Sequence, residues 1–414
     1  MATSHEVRYC YRLRVSDPEA ARLQGVFDTC RFVWNQALGR WRDLWRHEGV
    51  RLNLAAADKE LTDWRSRFDW LAVQPSVPEQ QVLRDLFKAV SAFFDKTNPA
   101  QLPTFKTRKT GYATARWTRN GFKVSGSGLG QPGDRLEIAA AGGRLPLRVV
   151  WSRPLPSVPT SVTVRRDRAG SFFASFVVRI EVPETPVVIT GRSTGLDVGL
   201  ETFATSEDEN LDVVNPRYAR AAANALARSQ RNTARKLPGS KNRAKALRRT
   251  ARLAAHIANQ RADFHHKAAR GLLATYDGIG IEDLKVKNMS RKGNGRKKAG
   301  LNRSVADAGW SQFRQILCWQ ATKAGKDIVV LAARDTTQNC SRCGTKAKPR
   351  MELSDRIFSC RACGLVLGRD RNAASNLNPD RVGTPVGGTE PAGVEVPVGS
   401  DDRKPKVSAE TLAV

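Results

Sequence analysis

The spacing of apolar and polar positions changes along the chain, and each change marks an element or a domain. Residues 6–16 (EVRYCYRLRVS) alternate apolar and polar side chains, which predicts a strand. After Asp17-Pro18 the apolar positions fall at helical intervals, through Leu23, Val26, Phe27, Cys30, Phe32, Val33, Trp34 and Leu38, as far as about His47. A second helical run covers 78–96, so 17–97 reads as a helical lobe. Between 100 and 185 Gly and Pro punctuate short alternating runs (RLEIA, LPLRVVW, SVTVRRD, SFFASFVVRIEV), the pattern of a small antiparallel sheet or barrel. The first strand is expected in that barrel, with the helical lobe inserted after it.

From 187 the pattern becomes mixed. VVITGRSTGLDVGLETFATS predicts two short strands around a tight turn, and 216–274 is a long Ala/Arg helical region broken at Pro238-Gly239. YDGIGIEDL (276–284) predicts a buried strand, and the acid-free stretch 285–303 a flexible basic loop. Trp310 to Lys323 has the spacing of an amphipathic helix, DIVVLAA that of a strand, and 370–377 that of a short helix. The Pro/Gly/Val-rich chain from about Asp380 reads as a disordered tail. Alternation of strands and helices from 187 to 377 makes the class α/β. No stretch approaches the ~18–20 apolar residues of a membrane helix, and MATSHEVRYC lacks the apolar core of a secretion signal.

Charge adds a partner. The 414 residues carry 69 Lys+Arg against 40 Asp+Glu, a net +29. Such an excess opposes compaction unless a polyanion is the working partner, which puts nucleic acid first and a membrane surface second. It is also uneven: 216–270 holds fifteen Lys/Arg and one acid, Asp263. The aromatic residues Phe27, Phe32, Trp34, Phe87, Phe93 and Phe94 read as core rather than as base-stacking platforms.

Seven cysteines do not make a disulfide framework. Cys10, Cys30 and Cys318 stand alone and read as buried small hydrophobes. The other four form Cys340-x2-Cys343 and Cys360-x2-Cys363, with sixteen residues between the pairs. Two such knuckles bring four thiolates to the corners of a tetrahedron, a closed structural Zn²⁺ site. Gly344 and Gly364 follow the second Cys of each knuckle, where the turn needs a permissive residue.

Three carboxylates stand at element ends. Asp197 closes an apolar strand between Gly195 and Gly199, Glu282 closes another, and Asp370 opens the last helix. Two divalent ions ~3.5–4 Å apart, held by acids from separate elements, can activate a water and stabilise a leaving 3′ oxygen in phosphodiester hydrolysis. Each acid alone is equally an ordinary cap or turn residue. Acids at 201, 207, 208, 209, 212 and 283 compete, and spacing does not choose among them.

Several segments resemble the TnpB (OrfB) family of RNA-guided nucleases, relatives of the compact type V CRISPR effectors. GLDVGLETFAT is similar to its first RuvC motif. SKNRAKALRRTARLAAHIANQRADFHHKAARGLLATYDGIGIEDLKVKNM is similar to its arginine-rich helix leading into the second. TTQNCSRCG, CRACG and GRDRNAASNL are similar to its zinc knuckles and third motif, and RFVWNQAL and LPTFKTRK extend the likeness towards the N-terminus. The resemblance implies a multidomain α/β protein. Its parts would be a first wedge strand (1–16), a helical recognition lobe (17–97) and a wedge β-barrel (98–186). An RNase H-like RuvC nuclease domain (187–335) would follow, then a zinc-ribbon insert (336–366), the third RuvC motif (367–379) and the tail (380–414).

It further implies catalysis by Asp197, Glu282 and Asp370 with two Mg²⁺ (Mn²⁺ as a substitute), and selects Glu282 over Asp283. Structural Zn²⁺, a guide RNA and double-stranded target DNA beside a short flanking motif complete the expectation. Both strands would be cut at one site, in a cytoplasmic, nucleoid-associated monomer or homodimer. The cations Arg228, Arg231, Arg235, Lys236, Lys241, Arg243, Lys245, Arg248, Arg249 and Arg252, with Lys106, Arg108 and Lys109, are the expected nucleic-acid contacts. Two departures stand out: Arg371 replaces a usually apolar residue, and Asp335 precedes Thr-Thr where Asn or Tyr is commoner. An RNA-guided repressor that does not cut, and a DNA-joining transposase, remain as alternatives.

Overall fold

The computed structural model describes residues 3–98, 100–107, 113–182, 190–291, 295–332, 335–352 and 354–381, without the side chains of 3–5 and 182. Arg108, Lys109 and nearly all of the expected tail lie outside the described residues. The chain divides into two compact units, Met1–Glu181 with Leu226–Ala255, and Val182–Ala225 with His256–Val414. The basic stretch 226–255 thus groups with the first unit.

In the first unit, β1 (Thr3–Arg14) leads into α1 (Asp17–His47), α2 (Leu54–Arg67), α3 (Asp69–Ala72) and α4 (Ser76–Phe94). The strands β2 (Ala113–Thr118), β3 (Phe122–Val124), β4 (Leu136–Ala140), β5 (Gly143–Val150), β6 (Ser161–Arg166) and β7 (Phe172–Val182) follow. A capping box starts α1: Ser16 N–H donates to Glu19 Oε2 at 2.6 Å, two residues before Pro18 at the first turn. Leu23, Val26, Phe27, Cys30, Val33, Trp34, Ala37, Leu38 and Trp41 then form its buried stripe.

The seven strands make one sheet in the order β2-β6-β7-β1-β5-β4-β3. Alternate residues of β4 (Leu136, Ile138, Ala140) and β5 (Leu145, Leu147, Val149) are buried, as period-2 patterning requires. β1 lies centrally, so the chain leaves the sheet for α1–α4 and returns at its edge. The edge strands β2 and β3 do not pair, so hydrogen bonds do not close the expected barrel. Cys10 faces solvent, the opposite of the sequence expectation, because Tyr9 and Tyr11 take the inward positions of β1. Phe93 and Phe94 are also exposed rather than buried, beyond the last core position of α4, Val90.

The second unit contains β8 (Ser193–Leu196), β9 (Thr202–Ala204), β10 (Val213–Val214) and α5 (Tyr218–Ala221). Helices α6 (Ala223–Ala234) and α7 (Lys241–Thr275) pass through both units and break at Pro238-Gly239. Then come β11 (Gly278–Glu282), α8 (Val286–Met289), α9 (Arg296–Ala308), α10 (Trp310–Ala324), β12 (Asp327–Leu331), β13 (Ile357–Ser359), β14 (Val366–Gly368) and α11 (Arg369–Asn376).

β12, β11 and β8 form a parallel sheet in that order. A bridge between Asp197 and Thr205, with N–H···O distances of 3.0 and 2.8 Å, continues it into antiparallel β9 and β10. The core gathers Leu196, Phe203, Leu272, Ile279, Phe313 and Leu317. Buried His265 stacks on Phe203 with ring centroids 5.3 Å apart, and burial pushes its pKa down to about 4.

The basic stretch 285–303 is not a loop where it is described. Arg296–Ala308 is helical because Val305 and Ala308 enter the core and Gly309, at φ 66°, ends the helix. Among the described residues no helix is long and apolar enough to cross a membrane.

Candidate metal centres

β8 and β11 pair in register from Ser193↔Gly278 to Leu196↔Ile281. The next residue on each strand is an acid, Asp197 and Glu282, so the two carboxylates leave the sheet at one edge. α11 brings Asp370. Its C-terminal end lies on β8 and β11 at glycines: a Cβ on Gly195 would run into the Ala374 carbonyl oxygen, and one on Gly280 into that of Leu377. Only residues without a side chain allow this approach.

The three acids feel one another. Burial, then the charges of Glu282 and Asp370, push Asp197 up to about 7, with Arg369 acting in the opposite direction. Burial also raises Glu282, against a 2.6 Å hydrogen bond donated by Thr336 Oγ1. Sequence reasoning passed over Thr336, whose only mark is its place in TTQNC. The Arg369 guanidinium donates to Asp370 Oδ1 at 3.1 Å.

Five of the six competing acids are engaged elsewhere. Arg356 pairs with Glu201 at 3.1 Å, Arg371 with Asp212 at 2.9 Å and Arg314 with Asp283 at 2.9 Å. Glu207 accepts from Asn378 at 3.1 Å, and Asp208 caps the turn at Asn210. Arg371, which follows Asp370 in the chain, turns to Asp212 and to the Ser206 carbonyl, both at 2.9 Å.

This donor set fits hard divalent cations. No described group donates a hydrogen bond to the Asp197 carboxylate, an arrangement that is costly for a half-buried anion unless a cation satisfies it.

The four thiols are tighter. Cys340 and Cys363 Sγ lie 3.6 Å apart, as do Cys343 and Cys360. A tetrahedral Zn²⁺ with Zn–S of about 2.3 Å needs roughly 3.8 Å. Gly344 and Gly364, at φ 72° and 70°, return their N–H groups to Cys340 and Cys360 carbonyls at 2.9 Å. Phe358 on the β13–β14 hairpin is buried beneath them. Hydrogen bonds with Thr345, side chain first, bring Cys343 down to about 6, within reach of the thiolate that zinc requires.

Two asparagines one helical turn apart tie this ribbon to α11. Asn372 Nδ2 donates to the Asn339 carbonyl at 2.7 Å and its Oδ1 accepts from Ser341 N–H at 2.9 Å. Asn376 Nδ2 donates to the Thr336 and Asn339 carbonyls at 2.8 and 2.7 Å.

Of the expected nucleic-acid contacts, Arg228, Arg231, Arg235, Lys236, Lys241, Lys245, Arg248, Arg249 and Arg252 are exposed on or beside α6 and α7, and none is in an ion pair with a described acid. Arg243 is half-buried and donates to the Lys236 carbonyl at 2.9 Å. Ser229, Thr233 and Thr250 bond the two helices together, with Ser229 and Thr250 hydroxyls 2.7 Å apart. Lys106 is not equivalent to these: its Nζ sits 3.7 Å over the Trp34 ring, and its backbone is held by Asn35 at 2.8 and 2.9 Å.

A parallel sheet with three carboxylates at one end, beside a four-cysteine ribbon, defines an α/β fold that carries two candidate metal sites. Family models described as "Probable transposase" (OrfB of IS605), "Cas12f1-like, TNB domain" and "Helix-turn-helix domain" match residues 175–293, 310–377 and 5–49. A Streptomyces pristinaespiralis protein named "Putative RNA-guided DNA endonuclease" is 35% identical, covering 89% of this chain and 87% of its own. InsQ of Escherichia coli (strain K12), with the same description, is 32% identical over 89% and 90%. The solved Cas12f1–sgRNA–target DNA complex aligns with TM-score 0.57 at 12% identity, over 92% of this chain and 99% of that one, and shares the fold. The chain belongs to the TnpB (OrfB) family. In this structure the segment matched as helix-turn-helix is strand β1 and the single long helix α1.

Proposed function

We propose that this protein is an RNA-guided DNA endonuclease whose Asp197, Glu282 and Asp370 form a RuvC-type two-metal site that cuts both strands of target DNA. The carrying observation is the convergence of three carboxylates from β8, β11 and α11, with no described group donating a hydrogen bond to the Asp197 carboxylate. The names of the two full-length relatives support guide-dependent DNA cleavage. The strand order β10-β9-β8-β11-β12, antiparallel on one side of β8 and parallel on the other, supports the RNase H-like reading.

When bound, Mg²⁺ would supply an activated water and charge stabilisation at the leaving oxygen. The chain's own groups do the rest. Asp197 and Glu282, fixed by adjacent strands, hold a rigid spacing. Thr336 keeps Glu282 oriented and favours its ionised form. The exposed cations of α6 and α7 follow the phosphates of a guide–target duplex, an interaction of shape and charge indifferent to sequence. A short flanking motif on the DNA duplex is read separately. Zinc on Cys340, Cys343, Cys360 and Cys363 is structural, because four thiolates leave no open position.

The test is reconstitution with the copurifying RNA, Mg²⁺ and matched duplex DNA. Both strands should be cut, and Asp197→Ala should abolish cutting while RNA binding persists. Cleavage retained in that variant overturns the mechanism. RNA-dependent DNA binding without cutting in Mg²⁺ or Mn²⁺ favours the repressor reading, and strand joining without RNA the transposase reading.

A further inference from the structure

Arg369 connects the two metal centres. It opens α11 directly after β14 of the ribbon, and its N–H donates to the Arg356 carbonyl at 2.8 Å. Its side chain, only 14% exposed, sends Nε and Nη2 to one oxygen of Asp370, Oδ1, each at 3.1 Å. Nη1 reaches the Glu352 carbonyl of the ribbon at 3.5 Å. Among the described residues it is the one cation in an ion pair with any of the three clustered acids. Asp370 Oδ2 has no protein partner there.

A guanidinium and a divalent cation therefore draw on the same carboxylate. We propose that Arg369 is a competing counter-ion for Asp370, a positioning residue that sets how tightly the acid cluster holds divalent metal. The inference rests on the reading of Asp197, Glu282 and Asp370 as metal ligands. The physical case is electrostatic. Three carboxylates at one sheet edge repel one another, and one cation among them offsets part of that repulsion. A divalent ion arriving at Asp370 meets the guanidinium's positive charge within a few Å, at a site partly shielded from solvent. The Glu352 carbonyl gives the displaced guanidinium an acceptor without any movement of the backbone, which Arg356 holds.

The experiment measures Mn²⁺ binding by calorimetry and electron paramagnetic resonance. It uses the full-length protein dialysed free of Mg²⁺ and Mn²⁺ with its zinc retained. Arg369→Gln should bind Mn²⁺ about tenfold more tightly than wild type, as removal of a nearby like charge requires. Without added divalent ions it should melt about 2–4 °C lower, because the acids lose their counter-ion. In the Asp370→Asn background the same substitution should have a clearly smaller effect on both quantities, because only the weaker action of the guanidinium on Asp197 remains; a purely structural arginine would give equal effects.

Unchanged or weaker Mn²⁺ binding in Arg369→Gln overturns the proposal if Asp370→Asn still weakens binding. An equal melting shift in both backgrounds overturns it too. If wild type and Asp370→Asn bind Mn²⁺ alike, the reading of the acids as a metal site falls instead, and the proposal with it.

Discussion

Asp197 gives the sharpest test of the acid cluster, because its environment makes a signed prediction about pH. Burial and two neighbouring acids move its carboxyl from 3.8 to about 7 in the folded chain. At about 1.36 kcal/mol per pH unit, ionised Asp197 costs at most about 4 kcal/mol of stability. Asn at this position removes the charge but keeps the expense of burying a polar group, so about 2 kcal/mol should be recovered. That corresponds to a rise in melting temperature of about 4–8 °C.

The sign follows from linkage. The folded-state value lies above the unfolded one, so stability is full below about pH 4, falls as pH rises through 7, and is level above. Asp197→Asn lacks this titration. Melting curves between pH 5 and 8.5, without Mg²⁺ or Mn²⁺ and with zinc retained, should show a gap that widens up to pH 7 and then holds. Added Mg²⁺ should narrow it by stabilising the wild-type carboxylate. Below pH 7 metal affinity should itself fall, approaching tenfold per pH unit, because a proton competes for the same oxygen. A gap independent of pH, or a variant less stable than wild type at pH 8, would refute the reasoning.

Three further outcomes follow from the same geometry. Gly280→Ala puts a methyl group against the Leu377 carbonyl and should cost more than about 3 kcal/mol or displace α11; cutting should be lost while zinc content, measured by mass spectrometry, stays at wild-type level. Thr336→Val removes the hydroxyl that favours ionised Glu282, so the acid limb of the cleavage pH profile should move to higher pH, and an unmoved profile would count against the role. Replacing Arg248, Arg249 and Arg252 by Gln should flatten the plot of log affinity for guide RNA against log salt by ~0.7–0.9 for each phosphate no longer neutralised, measured by filter binding.

Much of this was legible in the chain, where local spacing decides structure. Alternation placed β4, β5 and β6, the Pro238-Gly239 break separates α6 from α7, and the paired Cys-x2-Cys knuckles converge as their spacing implied. Other features depend on long-range partners. Spacing could not separate Glu282 from Asp283; the distinction is that Arg314 engages Asp283 while Glu282 lies beside Asp197. The stretch 285–303 has the Gly, Asn and Lys content of a loop, yet Val305 and Ala308 anchor α9 in the core, and Asp307 accepts the Ala219 and Arg220 N–H groups at 2.8 and 3.0 Å. Lys106 is among the expected nucleic-acid contacts; its charge is visible in sequence, whereas Trp34 beneath it, seventy-two positions earlier, is not. Phe93 and Phe94 continue an apolar helix pattern, but they end exposed, Phe94 beside Trp45 and with Arg51 lying 4.5 Å over its ring.

The linkage between ribbon and acid cluster gives zinc a reach beyond its own site. Asn372 and Asn376 hold α11 to the segment 336–341, and Thr336 of that segment holds Glu282. Arg369 joins Asp370 to the ribbon backbone at Arg356. Asp197 has no such tie: its backbone is fixed by Thr205 across the sheet. Loss of zinc should therefore disturb the three acids unequally. Asp370 and Glu282 lose the hydrogen bonds that aim them, whereas Asp197 keeps its place on β8. A site that needs all three would fail although its first acid, and the parallel sheet carrying it, remain intact.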